Sequence, residues 1–165
     1  VDMTTGSLAQ GMSSAVGIAL ACKKEGIDNY VFCLIGDGES QEGQVWEAAT
    51  FAAHYGLNRF ILLVDKNGRQ LDGFTDECMS VGQLGGKFQQ FGFNVIEVKD
   101  GHNVKQICEA VEKAKLEQDR PTAIILNTIK AYGCPAASRI VNNHNMKLSM
   151  ADYEEACQAI DAPAA

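Results

Sequence analysis

A chain of 165 residues suits a single domain, and an apolar share of 46% is enough to bury a core. Its formal charge of -7 argues against a nucleic-acid or anionic-membrane surface, which needs clustered Lys and Arg. The six cysteines (Cys22, Cys33, Cys78, Cys108, Cys134, Cys157) form no C-x-x-C pair, so buried free thiols in a reducing cytosol are expected instead of disulfides or zinc. There is no apolar run long enough to span a bilayer and no basic n-region with a leader, so the chain reads as cytoplasmic. It begins Val1-Asp2-Met3 without an initiator Met, and an upstream portion is expected to be absent.

Ser7 to Lys24 is predicted to be helical, with Ala9, Met12, Ala15, Val16, Ala19 and Leu20 on one face. Thr4-Thr5-Gly6-Ser7-Leu8 precedes it. Free N–H groups and the positive dipole end make such a start a natural phosphate site, although the residues alone favour a plain Thr or Ser N-cap. Two apolar runs follow, Tyr30 to Ile35 stopping at Gly36-Asp37-Gly38 and Phe60 to Val64 stopping at Asp65-Lys66-Asn67. Continuous apolar runs predict parallel strands buried on both faces. The segment between them, Gln44 to Tyr55, has helical spacing and is closed by Gly56, which makes a right-handed βαβ unit.

This unit delivers Asp37 and Asn67 to one sheet edge, where ligands sit in open α/β sheets. A carboxylate, an amide oxygen and a backbone carbonyl would be an oxygen-only donor set suited to Mg²⁺, which keeps positions open for phosphate oxygens. Glycines beside Asp37 would let the backbone approach a bulky anion. Alone, the tripeptide reads rather as a tight turn with Asp37 capping the next helix.

Further along, Asn67 to Gly86 is predicted to be a loop, Leu84 to Phe91 a short helix and Asn94 to Val98 a strand. Asn103 should cap a helix through Leu116 with Val104, Ile107, Cys108, Val111 and Ala114 inward. A fourth strand, Thr122 to Ile129, follows the break at Arg120-Pro121. His54 reads as a surface or core-edge residue and His102 as structural. Ser149 and Asp152 are spaced as a capping box for a last helix, Ser149 to Ile160, before an Ala-Pro tail expected to be mobile. The economical fold is a three-layer α/β sandwich with a mostly parallel sheet.

The string Gly36-Asp37-Gly38, Glu42-Gly43, Glu47-Ala48 and Asn67 resembles the thiamine-diphosphate-binding motif of the transketolase family. Asp65 to Thr75 is similar to the family's DNN-x-x-x-x-DG-x-T segment, with Lys66 in place of the usual Asp or Asn. Lys87 to Phe93 resembles its KF-x-x-FGW block and Asp100-Gly101-His102 its DGH turn. Thr4 to Gly11 is similar to S/T-x-G-P/S-LGQG, with Ala9 in place of Gly. Lys130 to Gly133 resembles K-G-x-G, again with Ala131 for Gly, and His144 stands in the place of an H-G segment whose Gly is here Asn145.

The resemblance implies a thiamine-diphosphate-binding fold, residues 1–148 being a partial diphosphate-binding domain and 149–165 a helix and tail. It implies that Asp37, Asn67 and the Arg69 carbonyl hold Mg²⁺, with Ca²⁺ or Mn²⁺ as substitutes. Gly6, Ser7, Leu8, Gly38 and Asn67 would contact thiamine diphosphate. His144 would approach the diphosphate and the substrate. Glu42 would join a carboxylate network between two active sites of an oligomer, with Glu47 as a second acid. The implied reaction is transfer of a two-carbon ketol unit between sugar phosphates. In the family, the glutamate that activates the aminopyrimidine lies on a second, pyrimidine-binding domain, so this chain would be the amino-terminal subunit of a split enzyme, inactive without that partner subunit. Alternatives are the alpha subunit of a 2-oxo acid dehydrogenase, which shares GDG-x-x-x-QGQ-x-x-EA, and a truncated, non-catalytic dimerisation subunit. Asp72 to Thr75 and Lys87 to Phe93 favour the transketolase reading.

Overall fold

The computed structural model describes residues 1–140 and 142–161. Helix α1 (Gln10–Glu25) leads into strand β1 (Val31–Gly36), a 3-10 turn at Glu39–Gln41, helix α2 (Gly43–His54) and strand β2 (Phe60–Lys66). A two-residue hairpin, β3 (Arg69–Gln70) and β4 (Gly73–Phe74), precedes the short helices α3 (Thr75–Cys78) and α4 (Leu84–Gln90). Then come β5 (Asn94–Val98), α5 (Val104–Lys115), β6 (Thr122–Asn127), α6 (Pro135–Ser138) and α7 (Met150–Asp161). The main sheet is parallel throughout, in the order β1-β2-β6-β5.

That order explains the layers. From β1 to β2, and on past the place of β6 to β5, the chain moves in one direction; from β5 to β6 it turns back. Right-handed crossovers therefore put α2 and α4 on one face and α5 on the other. The core divides in the same way. Met12, Val16, Val45, Ala49, Leu84 and Phe88 pack on Cys33, Ile35, Leu62, Val64 and Ile125, whereas Ala110 and Ala114 pack on Ile61, Ile124 and Leu126. The aromatic block after the loop is structural: Phe88 and Phe93 are buried, and Trp46 lies 4.9 Å from Phe88 and 5.0 Å from Phe91 between ring centroids.

Several expectations need correction. Helix α1 starts at Gln10, because Ala9 takes a left-handed φ of 66° that ends the helix there. Strand β1 is buried on one face only; on the other, Phe32 and Leu34 are exposed, since α5 covers β5 and β6 and does not reach them. In α5 the inward stripe is Ile107, Ala110, Val111 and Ala114, spaced i, i+3, i+4, i+7. Val104, at the first turn, and Cys108, on the polar flank, are exposed. Among the cysteines only Cys33 is buried, while Cys78 and Cys108 are open to solvent. Burial, helped by the charge of Glu39, pushes the Cys33 thiol up to about 11. The hairpin inside the expected loop left no periodic trace because two residue pairs are too few to show alternation.

Other expectations hold. Asn103 caps α5 by accepting the Gln106 N–H at 3.2 Å, and Ser149 with Asp152 forms a reciprocal box, the Asp152 N–H reaching Ser149 Oγ at 3.2 Å and the Ser149 N–H reaching Asp152 Oδ2 at 3.0 Å. His54 is exposed, and His102 accepts the Ile129 N–H at 2.8 Å. The tail at 162–165 lies outside the described residues. Among those described, no helix is long and apolar enough to cross a membrane.

Candidate metal and diphosphate site

The register of β1 on β2 decides where the site falls. Gly36 pairs with Asp65, and the Asp37 N–H continues the ladder to the Asp65 carbonyl at 3.0 Å, so Asp37 and Asn67 leave adjacent strands side by side. Asp37 is buried, and its carboxylate accepts the Gly68 N–H at 2.6 Å and the Gly38 N–H at 2.9 Å. Burial holds this carboxyl above the usual aspartate range; the two amide bonds oppose the rise and the nearby Asp65 adds to it. Asn67 Oδ1 accepts the Arg69 N–H at 2.9 Å, so the turn after β2 wraps around both side chains.

The Arg69 carbonyl is near as well: a Cβ placed on Gly38 would stand 3.7 Å from it. The same Cβ would strike Gln70 Cβ at 2.9 Å. Glycine is therefore required at 38 by the hairpin's close approach, whereas Gly36, with no atom within 4 Å of its Cβ position, is the one that faces open space. Gln41 ties the hairpin down through Gln70 Oε1 at 2.6 Å and the Met79 carbonyl at 2.7 Å. Asp37, Asn67 and Arg69 thus share one hydrogen-bonded turn.

This donor set fits a hard cation. A carboxylate offers about four lone-pair sites, of which two are taken here, and the Asn67 carbonyl oxygen keeps one beyond its bond to Arg69. All three donors are oxygens, as Mg²⁺ prefers. Among the described residues no group of three or more His, Cys, Asp or Glu converges on a point, so a cation here would rest on this mixed set. A cleft of about 200 Å³ lined by Cys22, Lys23, Asn29, Leu57 and Arg59 opens at the opposite, amino end of β1 and β2, away from these groups.

Gly6, Ser7 and Leu8 lie exposed just before α1. They are joined to the Asp37 turn by a residue the sequence did not single out. Glu39 accepts the Ala9 N–H at 2.7 Å through one carboxylate oxygen and the Gly36 N–H at 3.1 Å through the other. Its carboxylate thus takes the amide that enters α1, leaving the preceding Gly6 to Leu8 segment open. The three-residue spacing back to Gly36 is that of a capping-box return bond, a signal that could have found it.

His144 and Glu42 stand apart from the turn. His144 is exposed and its Nδ1 lies 2.9 Å from Lys130 Nζ, just beyond the carboxyl end of β6. With the ammonium donating, Nδ1 is the acceptor. Glu42 is the exposed first residue before α2 and makes no side-chain cap bond, and Glu47 is exposed one turn on. The structure therefore brings Asp37, Gly38, Asn67 and Arg69 together, with Gly6 to Leu8 tethered nearby through Ala9; His144 borders the same sheet edge and Glu42 faces outward.

Residues 1–161 match the transketolase, thiamine diphosphate binding domain family. The chain is 47% identical over 149 residues to the 6-deoxy-6-sulfo-D-fructose transketolase subunit SqwG of Clostridium sp., covering 90% of this chain and 54% of that one. It is 38% identical over 161 residues to the transketolase-like protein 2 of Bos taurus, covering 97% of this chain and 26% of that one. The crystal structure of transketolase from Campylobacter jejuni superposes with a TM-score of 0.85 at 32% identity, over 96% of this chain and 26% of that chain. The chain spans about half the length of the Clostridium relative and about a quarter of the bovine one. With the match running over nearly the whole chain, and with a parallel sheet whose strand ends carry the GDG turn and its asparagine, the protein belongs to the transketolase family through its thiamine diphosphate binding domain.

Proposed function

We propose that this chain is the cofactor-anchoring subunit of a split transketolase, acting with a pyrimidine-domain partner subunit to transfer a two-carbon ketol unit between sugar phosphates. The observation that carries the reading is the turn at the carboxyl ends of β1 and β2, where the Asp37 carboxylate accepts the Gly68 N–H, the Asn67 amide oxygen accepts the Arg69 N–H, and the Arg69 carbonyl lies close to Gly38. In this reading those three oxygens hold Mg²⁺, and the Gly6 to Leu8 backbone with Gly38 and Asn67 contacts the cofactor's diphosphate. Bound thiamine diphosphate would supply the electron sink needed to break a carbon–carbon bond beside a carbonyl.

The chain's own contribution is to bind and to hold the anchoring turn in shape. Gln41 and Gln70 hold the hairpin over the turn, and Glu39 fixes the entry of α1 against β1. In this reading His144, whose Nδ1 accepts from Lys130, would offer its Nε2–H to an anionic substrate or the diphosphate. Glu42, exposed at the start of α2, is assigned to a contact with a second copy in the oligomer. The exposed free thiols of Cys78 and Cys108 go with a cytoplasmic setting.

The test is calorimetry with thiamine diphosphate and Mg²⁺ on the chain together with its partner subunit, followed by a coupled assay. Metal-dependent cofactor binding and turnover of xylulose 5-phosphate are expected, with no turnover by this chain alone. Turnover of a 2-oxo acid instead would assign a dehydrogenase alpha subunit, and no metal-dependent binding would leave a dimerisation subunit. Because the Clostridium relative carries 6-deoxy-6-sulfo-D-fructose in its name, that ketose belongs in the donor panel. Asp37→Ala is expected to abolish cofactor binding without unfolding the sheet.

A further inference from the structure

We propose that Asp65 and Thr128 are positioning residues that select which end of the Asn67 amide faces the cation, an inference that rests on the metal reading of the turn. An asparagine amide presents an oxygen and an NH₂ of nearly the same shape, and only the oxygen can ligate. Something must therefore keep the NH₂ turned away. Asp65 does this, because an ionised carboxylate only accepts. Asn67 Nδ2 donates to Asp65 Oδ2 at 3.1 Å, and the amide oxygen is thereby turned to the other side, where it receives the Arg69 N–H.

The carboxylate is held in its turn. Its second oxygen, Oδ1, accepts a hydrogen bond from the Thr128 hydroxyl, so each oxygen has its own donor and the group cannot rotate without losing both. Thr128 is fixed at the end of β6 by its own N–H, which reaches the Lys66 carbonyl at 3.1 Å. The turn at Gly101 presses on it: a Cβ there would sit 2.5 Å from Thr128 Cγ2 and 2.9 Å from the Asn127 carbonyl. Glycine in the Asp100-Gly101-His102 turn thus lets that turn close on Thr128. The result is a relay between two strand ends, from Thr128 just past β6 through Asp65 on β2 to Asn67 beyond it, and the Asp65 backbone carbonyl also takes the Asp37 N–H. Neither Asp65 nor Thr128 need touch the metal. Outer groups that orient a ligand in this way typically change metal affinity by about 10–100-fold when removed.

The experiment is Mn²⁺ titration of the chain together with its partner subunit in the presence of thiamine diphosphate, followed by the loss of the free Mn²⁺ paramagnetic resonance signal, with the metal-free thermal midpoint of each variant measured in parallel. Asp65→Asn lets the amide at 67 turn either way, and Thr128→Val keeps the shape of threonine without its donor. Both are expected to weaken Mn²⁺ binding about 10–100-fold. Thr128→Ser, which restores the hydroxyl, is expected to recover wild-type affinity, a rescue that a purely packing role for Thr128 would not produce. Wild-type affinity in both Asp65→Asn and Thr128→Val overturns the positioning role. Should Asp65→Asn fail to fold, the Val and Ser variants decide. A wild-type chain that takes up no Mn²⁺ even with its partner subunit overturns the metal reading itself, a distinct result.

Discussion

Ala9 and Ala131 share an unusual backbone state, with φ of 66° and 61°. A left-handed conformation costs an L-residue about 1–2 kcal/mol, and glycine escapes that cost at the expense of a looser unfolded chain, about 0.5–1 kcal/mol. Both stand where the family's pattern has glycine, so the sequence flagged them as departures; it could not show their φ, because one residue's dihedral leaves no mark on periodicity. The environments separate the two. Ala9 has no exposed surface, and deleting its methyl forfeits about 0.8 kcal/mol of burial, so Ala9→Gly is expected to change stability little. Ala131 is only half-buried, and Ala131→Gly is expected to stabilise the protein by about 0.5–1 kcal/mol, read as a rise in the urea midpoint at unchanged slope. A fall in that midpoint would mean that position 131 does not hold a left-handed turn in solution. At this scale the placement of Asp37 and Asn67 side by side at one sheet edge was legible, because the ends of the two apolar runs announce it. Glu39 left a three-residue spacing back to Gly36 that was not used, whereas Asp65 and Thr128 were not legible, since their contact depends on which strands are neighbours, and β6 lies beside β2 only through a crossover.

At the level of elements, those with their own local signal were read well: β5 came out with its predicted bounds, and α7 carries its predicted cap. What was missed needed tertiary information, as with the face that α5 presents. The attachment of α7 is electrostatic and therefore testable by pH. Arg139, which follows α6, grips Glu155 with bonds of 2.7 and 2.8 Å and Asp152 with one of 3.0 Å, all at exposed positions. The Asp152 carboxyl lies below its ordinary range, chiefly through the Ser149 hydroxyl with Arg139 assisting, and Glu155 lies below its own chiefly through Arg139. Depressed carboxyl values mean stabilisation that is complete above the unfolded values of about 3.9 and 4.3 and is lost as pH falls through the lower folded ones. Because these pairs are solvent-exposed, the effect is modest and screened by salt. Amide exchange corrected for intrinsic rates is expected to show α7 opening more readily at pH 3 than at pH 6, while β2 amides stay protected. Equal α7 protection at both values would show that apolar contact, not the Arg139 grip, docks this helix.

For the whole molecule, the decisive asymmetry is between the two faces of the sheet. One face is roofed by α1, α2 and α4; on the other, α5 covers the β5 and β6 side and leaves the outer side of β1 bare. Phe32 is 48% and Leu34 65% exposed there, next to the half-buried Tyr30, and β1 pairs only with β2 among the described residues. The apolar run from Tyr30 to Ile35 led to a strand buried on both sides, and the run itself is real; what the sequence could not reveal is how much of the sheet one helix covers. An apolar face on an edge strand is a surface prone to association, since fully burying a Phe or Leu side chain contributes about 1.5–3 kcal/mol. In isolation the chain is therefore expected to self-associate as its concentration rises, with sedimentation velocity showing a weight-average coefficient that climbs. The double substitution Phe32→Thr and Leu34→Lys, which keeps strand propensity at one position and places a charge on the edge at the other, is expected to flatten that climb while leaving the far-ultraviolet dichroism unchanged. If the wild-type chain stays monomeric at every concentration, or if the double variant associates as strongly, the bare face of β1 is not what the chain uses to associate.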